Sequence, residues 1–182
     1  MGQKAPSEAE HSAVETLVSD PDLRRLFAYW RDLRRGRPMP TRTDIDPTKI
    51  DWALSRIFLL DYDPVGGLVY RLAGDEIAGL FGRGNLKGLR LGDILPSERV
   101  DTVEAIFLRV IEKRCIMGMR GMIYLRADRL PIGERLFLPL ADGNSGAVNG
   151  VLGMTVVHSE ILCVPAEVIH AEPRYIPVAD IP

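Results

Sequence analysis

The chain is 182 residues long and 46% hydrophobic, enough for one domain with a core of its own and some additional segments. Its formal net charge is 23 − 25 = −2, so no global positive field recruits nucleic acid or an anionic membrane. The two cysteines, Cys115 and Cys163, are too few for a disulfide framework and too far apart for a CxxC motif, which points to a reducing cytoplasm.

Residues 1–19 are polar, with only a weak apolar pattern at Val14, Leu17 and Val18, and read as a flexible N-terminal segment. They lack the apolar core of a signal peptide, and no later run approaches the ~20 apolar residues of a membrane span, so a cytoplasmic location is expected. Met1-Gly2 suggests acylation, but Pro6 stands where that motif requires Ser or Thr.

Residues 20–56 read as an N-terminal helical extension. Asp20-Pro21 makes a helix start, the carboxylate capping free amides and the proline occupying a position whose N–H has no helical acceptor. Leu23, Leu26, Phe27, Trp30 and Leu33 recur at helical spacing, opposite Arg24, Arg25, Arg31, Arg34 and Arg35. Between Asp20 and Arg42 seven arginines face three aspartates. No aromatic residue alternates with the arginines on that face, so it reads as solvated helix surface rather than a nucleic-acid site. Gly36 ends the helix. Asp46-Pro47, with Ile45 and Ile50 as a hydrophobic staple, predicts a second helix burying Ile50, Ala53, Leu54 and Ile57.

Residues 57–160 carry the main domain. Apolar runs at 57–62 and 68–73 flank the turn Asp63-Pro64-Val65-Gly66-Gly67, the pattern of a β-hairpin. Gly74-Asp75 then opens a short helix with Ile77, Leu80 and Phe81 on one side, and Gly82, Gly84 and Gly88 interrupt further helix. After a connector at 91–96, Ser97 is placed to cap a longer helix to about Lys113, with Val100, Val103, Ile106, Phe107, Val110 and Ile111 on its apolar face. Three strands follow. The first spans 115–127, alternating Cys115, Met117, Met119, Ile123 and Leu125 against Arg120, Tyr124 and Arg126; Leu136, Leu138 and Leu140 mark the second; 148–158 forms the third. Residues 161–182, with four prolines, read as an extended C-terminal tail.

This order predicts an α+β fold: a five-stranded antiparallel sheet with helices on one face, its edges at 68–73 and 115–127. Particular words sharpen it: Tyr29-Trp30-Arg31-Asp32-Leu33-Arg34, Gly36-Arg37, Pro40, Arg42, Asp44-Ile45-Asp46-Pro47, Ile57-Phe58-Leu59-Leu60-Asp61, Tyr70-Arg71-Leu72-Ala73-Gly74, Glu134-Arg135-Leu136 and Pro139-Leu140. In their order and spacing they resemble the PAS-domain proteins of alphaproteobacteria in which this domain is nearly the whole chain. The resemblance covers roughly residues 20–158. It implies cytoplasmic bacterial signalling, a protein signalling partner and a regulatory role, and supplies no catalytic or ligand residues.

The residues argue against several chemistries. Haem needs an axial ligand near the helices, yet the histidines are His11, His158 and His170, none between 74 and 113. A covalent flavin adduct needs a cysteine in the helix after the hairpin, whereas Cys115 falls in a strand and Cys163 in the tail; both cofactors are disfavoured, and a non-covalent flavin stays open. The glycines at 82, 84 and 88 miss the phosphate-loop pattern, since Lys87 precedes Gly88 and Leu89 follows it. His158 with Glu160, and Asp61 with Asp63, are the tight polar pairs, without a nucleophile or metal motif beside them. An enzyme is not expected.

Two readings remain, a sensor holding a small molecule between sheet and helices, and a ligand-free adaptor working through protein contacts. For the first, the candidate pocket is Ile77, Phe81, Phe107, Met117, Met119, Gly121, Leu136 and Leu138, with flexible methionines to adapt and Gly121 to leave room. Leu23, Phe27 and Trp30 form an apolar stripe that must be buried somewhere, either in a homodimer interface, the expected assembly, or on the chain's own sheet.

Overall fold

The computed structural model describes residues 14–123, 130–143, 145–161 and 171–181. The first helix, α1 (Pro21–Leu33), starts where its cap predicts: Asp20 Oδ1 accepts from the backbone N–H of Asp22 at 2.9 Å and of Leu23 at 3.2 Å. The predicted second helix at Asp46-Pro47 is instead a pair of 3₁₀ turns, Pro47–Lys49 and Asp51–Ala53. Ile50 and Ala53 are buried, but Leu54 is 38% exposed. The Tyr29 hydroxyl fixes the chain here, accepting from Asp46 N–H at 2.7 Å and donating to the Asp46 carbonyl at 3.3 Å.

The hairpin is β1 (Ile57–Asp63) and β2 (Gly67–Ala73). Asp63 Oδ1 closes the turn, accepting from Val65 and Gly66 N–H. The helical layer follows as α2 (Asp75–Leu80), α3 (Leu91–Ile94) and α4 (Ser97–Glu112). Pro96, rather than Ser97, occupies the cap position of α4, which has no side-chain cap. Then come β3 (Cys115–Met122), β4 (Leu130–Ala141), β5 (Val148–Ile161) and β6 (Arg174–Pro177).

The sheet is antiparallel throughout, in the order β2-β1-β5-β4-β3-β6. It therefore has six strands rather than five. β2 is an edge as predicted, whereas β3 is internal because β6 pairs with it, Met117 lying opposite Tyr175. Within the stretch read as an extended tail, four residues bounded by Pro173 and Pro177 add this strand.

Helices on one face describes only half of the sheet's cover. Directly paired residues share a face, and neighbours along a strand alternate. Phe137, paired with Met117 and Gly153, has its ring stacked on Phe107 of α4, so these positions face the α2–α4 layer. Leu136 pairs with Met154 and Leu138 with Leu152 on the opposite face, which α1 and the segment before it cover. Residues 14–19, expected to be flexible, are part of that cover. Val14, Leu17 and Val18 are buried. Arg120 donates to the carbonyls of Leu17 and Glu15 at 3.2 and 2.9 Å, and a Cβ on Gly118 would meet Leu17 Cβ at 2.5 Å.

Candidate functional site

Four elements bring aromatic rings together between the sheet and the helical layer. Phe58 of β1 meets Tyr70 of β2, Phe107 of α4 and Phe137 of β4 edge-on, with centroids 6.0, 6.0 and 5.3 Å apart. Phe107 and Phe137 stack at 4.5 Å with an interplanar angle of 7°. These separations are those of rings in mutual contact. The Phe58 ring also lies flat on the backbone of β5, since a Cβ at Gly153 would sit 2.0 Å from its Cζ.

Beside the rings a charge is buried. Arg135, 6% exposed, holds its guanidinium over the Phe137 ring at 5.1 Å. It donates through Nε to Thr155 Oγ1 and through its terminal nitrogen to the Ile123 carbonyl, both at 3.4 Å. Burying a cation demands such acceptors and π-faces, because bare desolvation costs several kcal/mol.

The sequence-predicted pocket residues divide between the two faces. Ile77, Phe107, Met117 and Met119 are buried, and the register puts Met117 and Met119 on the helix side with Phe107. Phe81 ends α2 half-buried. Leu136 and Leu138 lie on the α1 side, so the eight positions cannot line one space. Gly121 has φ +120°, a conformation that itself requires glycine, and a Cβ there would meet Ala171 at 3.3 Å. Reading alternation in a one-sided sheet missed Phe58, Tyr70, Arg135, Phe137 and Thr155. The signal was present in Leu136-Phe137-Leu138-Pro139-Leu140, a continuous apolar run of the kind that marks a strand covered on both faces.

Leu23, Phe27 and Trp30 are buried within the chain, and Trp30 donates to the Pro139 carbonyl at 2.9 Å. Of the two placements open to it, the apolar stripe takes the one in cis, covered by the sheet, so these residues are not the dimer surface. The basic face of α1 is engaged as well. Arg25 stacks over Trp52 at 4.1 Å. Arg24 pairs with Glu15, and Arg34 donates to the carbonyls of Arg37 and Ile181.

A second polar locus joins α1 to the sheet. Glu134, 5% exposed, accepts from the N–H of Ser19 at 2.6 Å, from its hydroxyl, and from Asp20 N–H at 3.2 Å. Burial alone would raise this carboxyl. The Ser19 and Asp20 hydrogen bonds and the Arg120 guanidinium outweigh it and hold it below its ordinary value. His158 lies 3.6 Å from Glu134 and 4.0 Å from Asp20. Asp61 sits between Arg42 and Arg71, at 3.1 and 2.9 Å. Cys115 is buried on β3, its thiol donating to the Arg109 carbonyl. His11, His170 and Cys163 lie outside the described residues.

Among the described residues no cluster of three or more His, Cys, Asp or Glu side chains is arranged to hold a metal ion. Among them, no helix is long and apolar enough to cross a membrane. In comparison with known proteins, a family model described as a PAS domain matches residues 18–156. No curated protein and no solved structure matches significantly.

Proposed function

The chain belongs to the PAS domain family, and we propose that it is a regulatory module that acts through contacts with a protein partner, with the space between sheet and helices filled by its own side chains. Sensing and regulation are the general role of the family; the mode of action is the proposal. The observation that supports it is the ring cluster, in which Phe107 stacks on Phe137 at 4.5 Å and Phe58 closes against both. A planar or lipid-like guest in that layer would have to displace an aromatic ring from full burial, losing about 1.5–3 kcal/mol of side-chain burial before any contact is made. The matched region begins at residue 18, so the Glu134 junction and α1 lie within the family unit and are candidates for relaying a change.

Haem and a covalent flavin adduct remain disfavoured on this reading. His158 faces the carboxylates of Glu134 and Asp20, and Cys115 faces α4 from β3. A homodimer remains a proposal, and its contact would use a surface other than Leu23, Phe27 and Trp30.

The test is the absorption spectrum of the purified full chain together with mass spectrometry of the denatured protein. Protein absorption alone, with the polypeptide mass and no stoichiometric companion, is expected. An organic molecule present at one equivalent, and displaced by substitutions at Phe58 or Phe137, would overturn the filled-interior reading in favour of a small-molecule sensor.

A further inference from the structure

Outside the aromatic interior, a cleft of about 640 Å³ opens between the C-terminal half of α4 and β6. Leu108, Tyr175 and Pro177 supply apolar surface, and Arg109 and Lys113 stand at its rim with Glu112 as the one anion among the lining residues. The volume lies within the range that holds small organic ligands. Arg109 is already fixed in place, its guanidinium 4.1 Å over the Tyr175 ring. That contact seats the guanidinium over the ring. Its N–H edge, which hydrogen-bonds carboxylates in plane, forms no ion pair among the described residues, nor does the Lys113 ammonium.

We propose that this cleft binds a small planar aromatic carboxylate, its ring against Leu108 and Pro177 and its carboxylate on Arg109 and Lys113. Two cations against one anion set the charge of the ligand. The apolar surface of Leu108 and Pro177, the latter on a strand held by β3, sets its shape. The cleft shares no lining residue with the Phe58, Phe107 and Phe137 cluster, so this proposal stands or falls separately from the filled-interior reading.

Isothermal titration of the full chain with 1-naphthylacetate, 1-naphthylacetamide and octanoate tests it. Saturable binding of 1-naphthylacetate is expected at submillimolar concentration, with the amide and octanoate each weaker by about tenfold or more. Ala105 lines the cleft from an exposed position on α4, so Ala105→Trp fills the space without touching the core and is expected to abolish binding at unchanged melting temperature. Arg109→Gln is expected to weaken binding about tenfold. No saturation up to about 5 mM, equal affinity for the amide or octanoate, or undiminished binding by folded Ala105→Trp would each overturn the proposal.

Discussion

The indole N–H of Trp30 donates to the carbonyl oxygen of Pro139 at 2.9 Å, joining α1 to β4 across 109 residues of sequence. The bond is buried, and Phe27 stacks beside the indole with ring centroids 6.3 Å apart. Trp30→Phe keeps an aromatic ring and removes the donor, so a loss of about 1–3 kcal/mol in urea unfolding is expected. Trp30→Arg places a charge where no water reaches and is expected to give an unfolded monomer by circular dichroism and light scattering. A folded monomer from a dimeric parent would instead restore this stripe as an interface.

Acid should loosen the junction between α1 and the sheet. Glu134 titrates below its ordinary value of 4.5 in the folded chain, because the Ser19 and Asp20 hydrogen bonds and Arg120 overcome the cost of burial. A carboxyl whose folded pKa is depressed stabilises fully above the unfolded value, and that contribution is lost as pH falls through the folded value. Asp20, Arg120 and His158 face the same carboxylate, so the comparison must isolate it. Glu134→Gln is expected to cost about 1–3 kcal/mol at pH 7 and to flatten the decline in melting temperature below about pH 4.5. A variant with the parental acid slope would assign that slope to other carboxylates.

How much of this was legible depends on where the determining physics was local. The Asp20-Pro21 cap, the Asp63 turn and the apolar face of α4 are set by residues within a turn or two of one another, and each formed as read. The helix at Asp46-Pro47 had the same local signals, but the Tyr29 hydroxyl, 17 residues away, holds both backbone groups of Asp46, and 3₁₀ turns result. The strand Arg174–Pro177 has no alternation to read and exists because Cys115 to Gly118 offer it a ladder. The largest miss was the second cover of the sheet. Treating Leu136 and Leu138 as inward-facing assumed that Arg135 and Phe137 met water, when both faces of β4 are buried. Two of the eight candidate positions were therefore taken from the wrong face.

The filled interior makes Phe107 a measure of packing. Its ring, 1% exposed, touches both Phe58 and Phe137. Phe107→Ala removes those contacts and leaves a cavity that a helix anchored on the sheet collapses into only partly, so a loss of about 3–5 kcal/mol is expected. Denaturant midpoints with an unchanged m-value would measure it. A loss below about 1 kcal/mol would mean the ring borders space rather than neighbours, and would reopen the small-molecule reading.

Gly153 gives the sharpest test of the same packing, because there the glycine is required by a neighbour rather than by its backbone. An added Cβ would lie 2.0 Å from Phe58 Cζ and 2.5 Å from both Cε atoms, so Phe58 must leave its place. That place is fixed by Tyr70, Phe107 and Phe137, and moving the ring disturbs all three. Gly153→Ala is expected to destabilise by about 1–3 kcal/mol or slightly more. Phe58→Leu, which shortens the side chain over the glycine, is expected to cost about 1–3 kcal/mol alone. In the double variant the new methyl occupies room the ring has vacated. The combined loss should then fall short of the sum of the single losses by about 1 kcal/mol or more, within the range measured for residues in contact. Strict additivity to within about 0.5 kcal/mol would show that Phe58 does not rest on Gly153, and would remove the contact on which the closed aromatic interior depends.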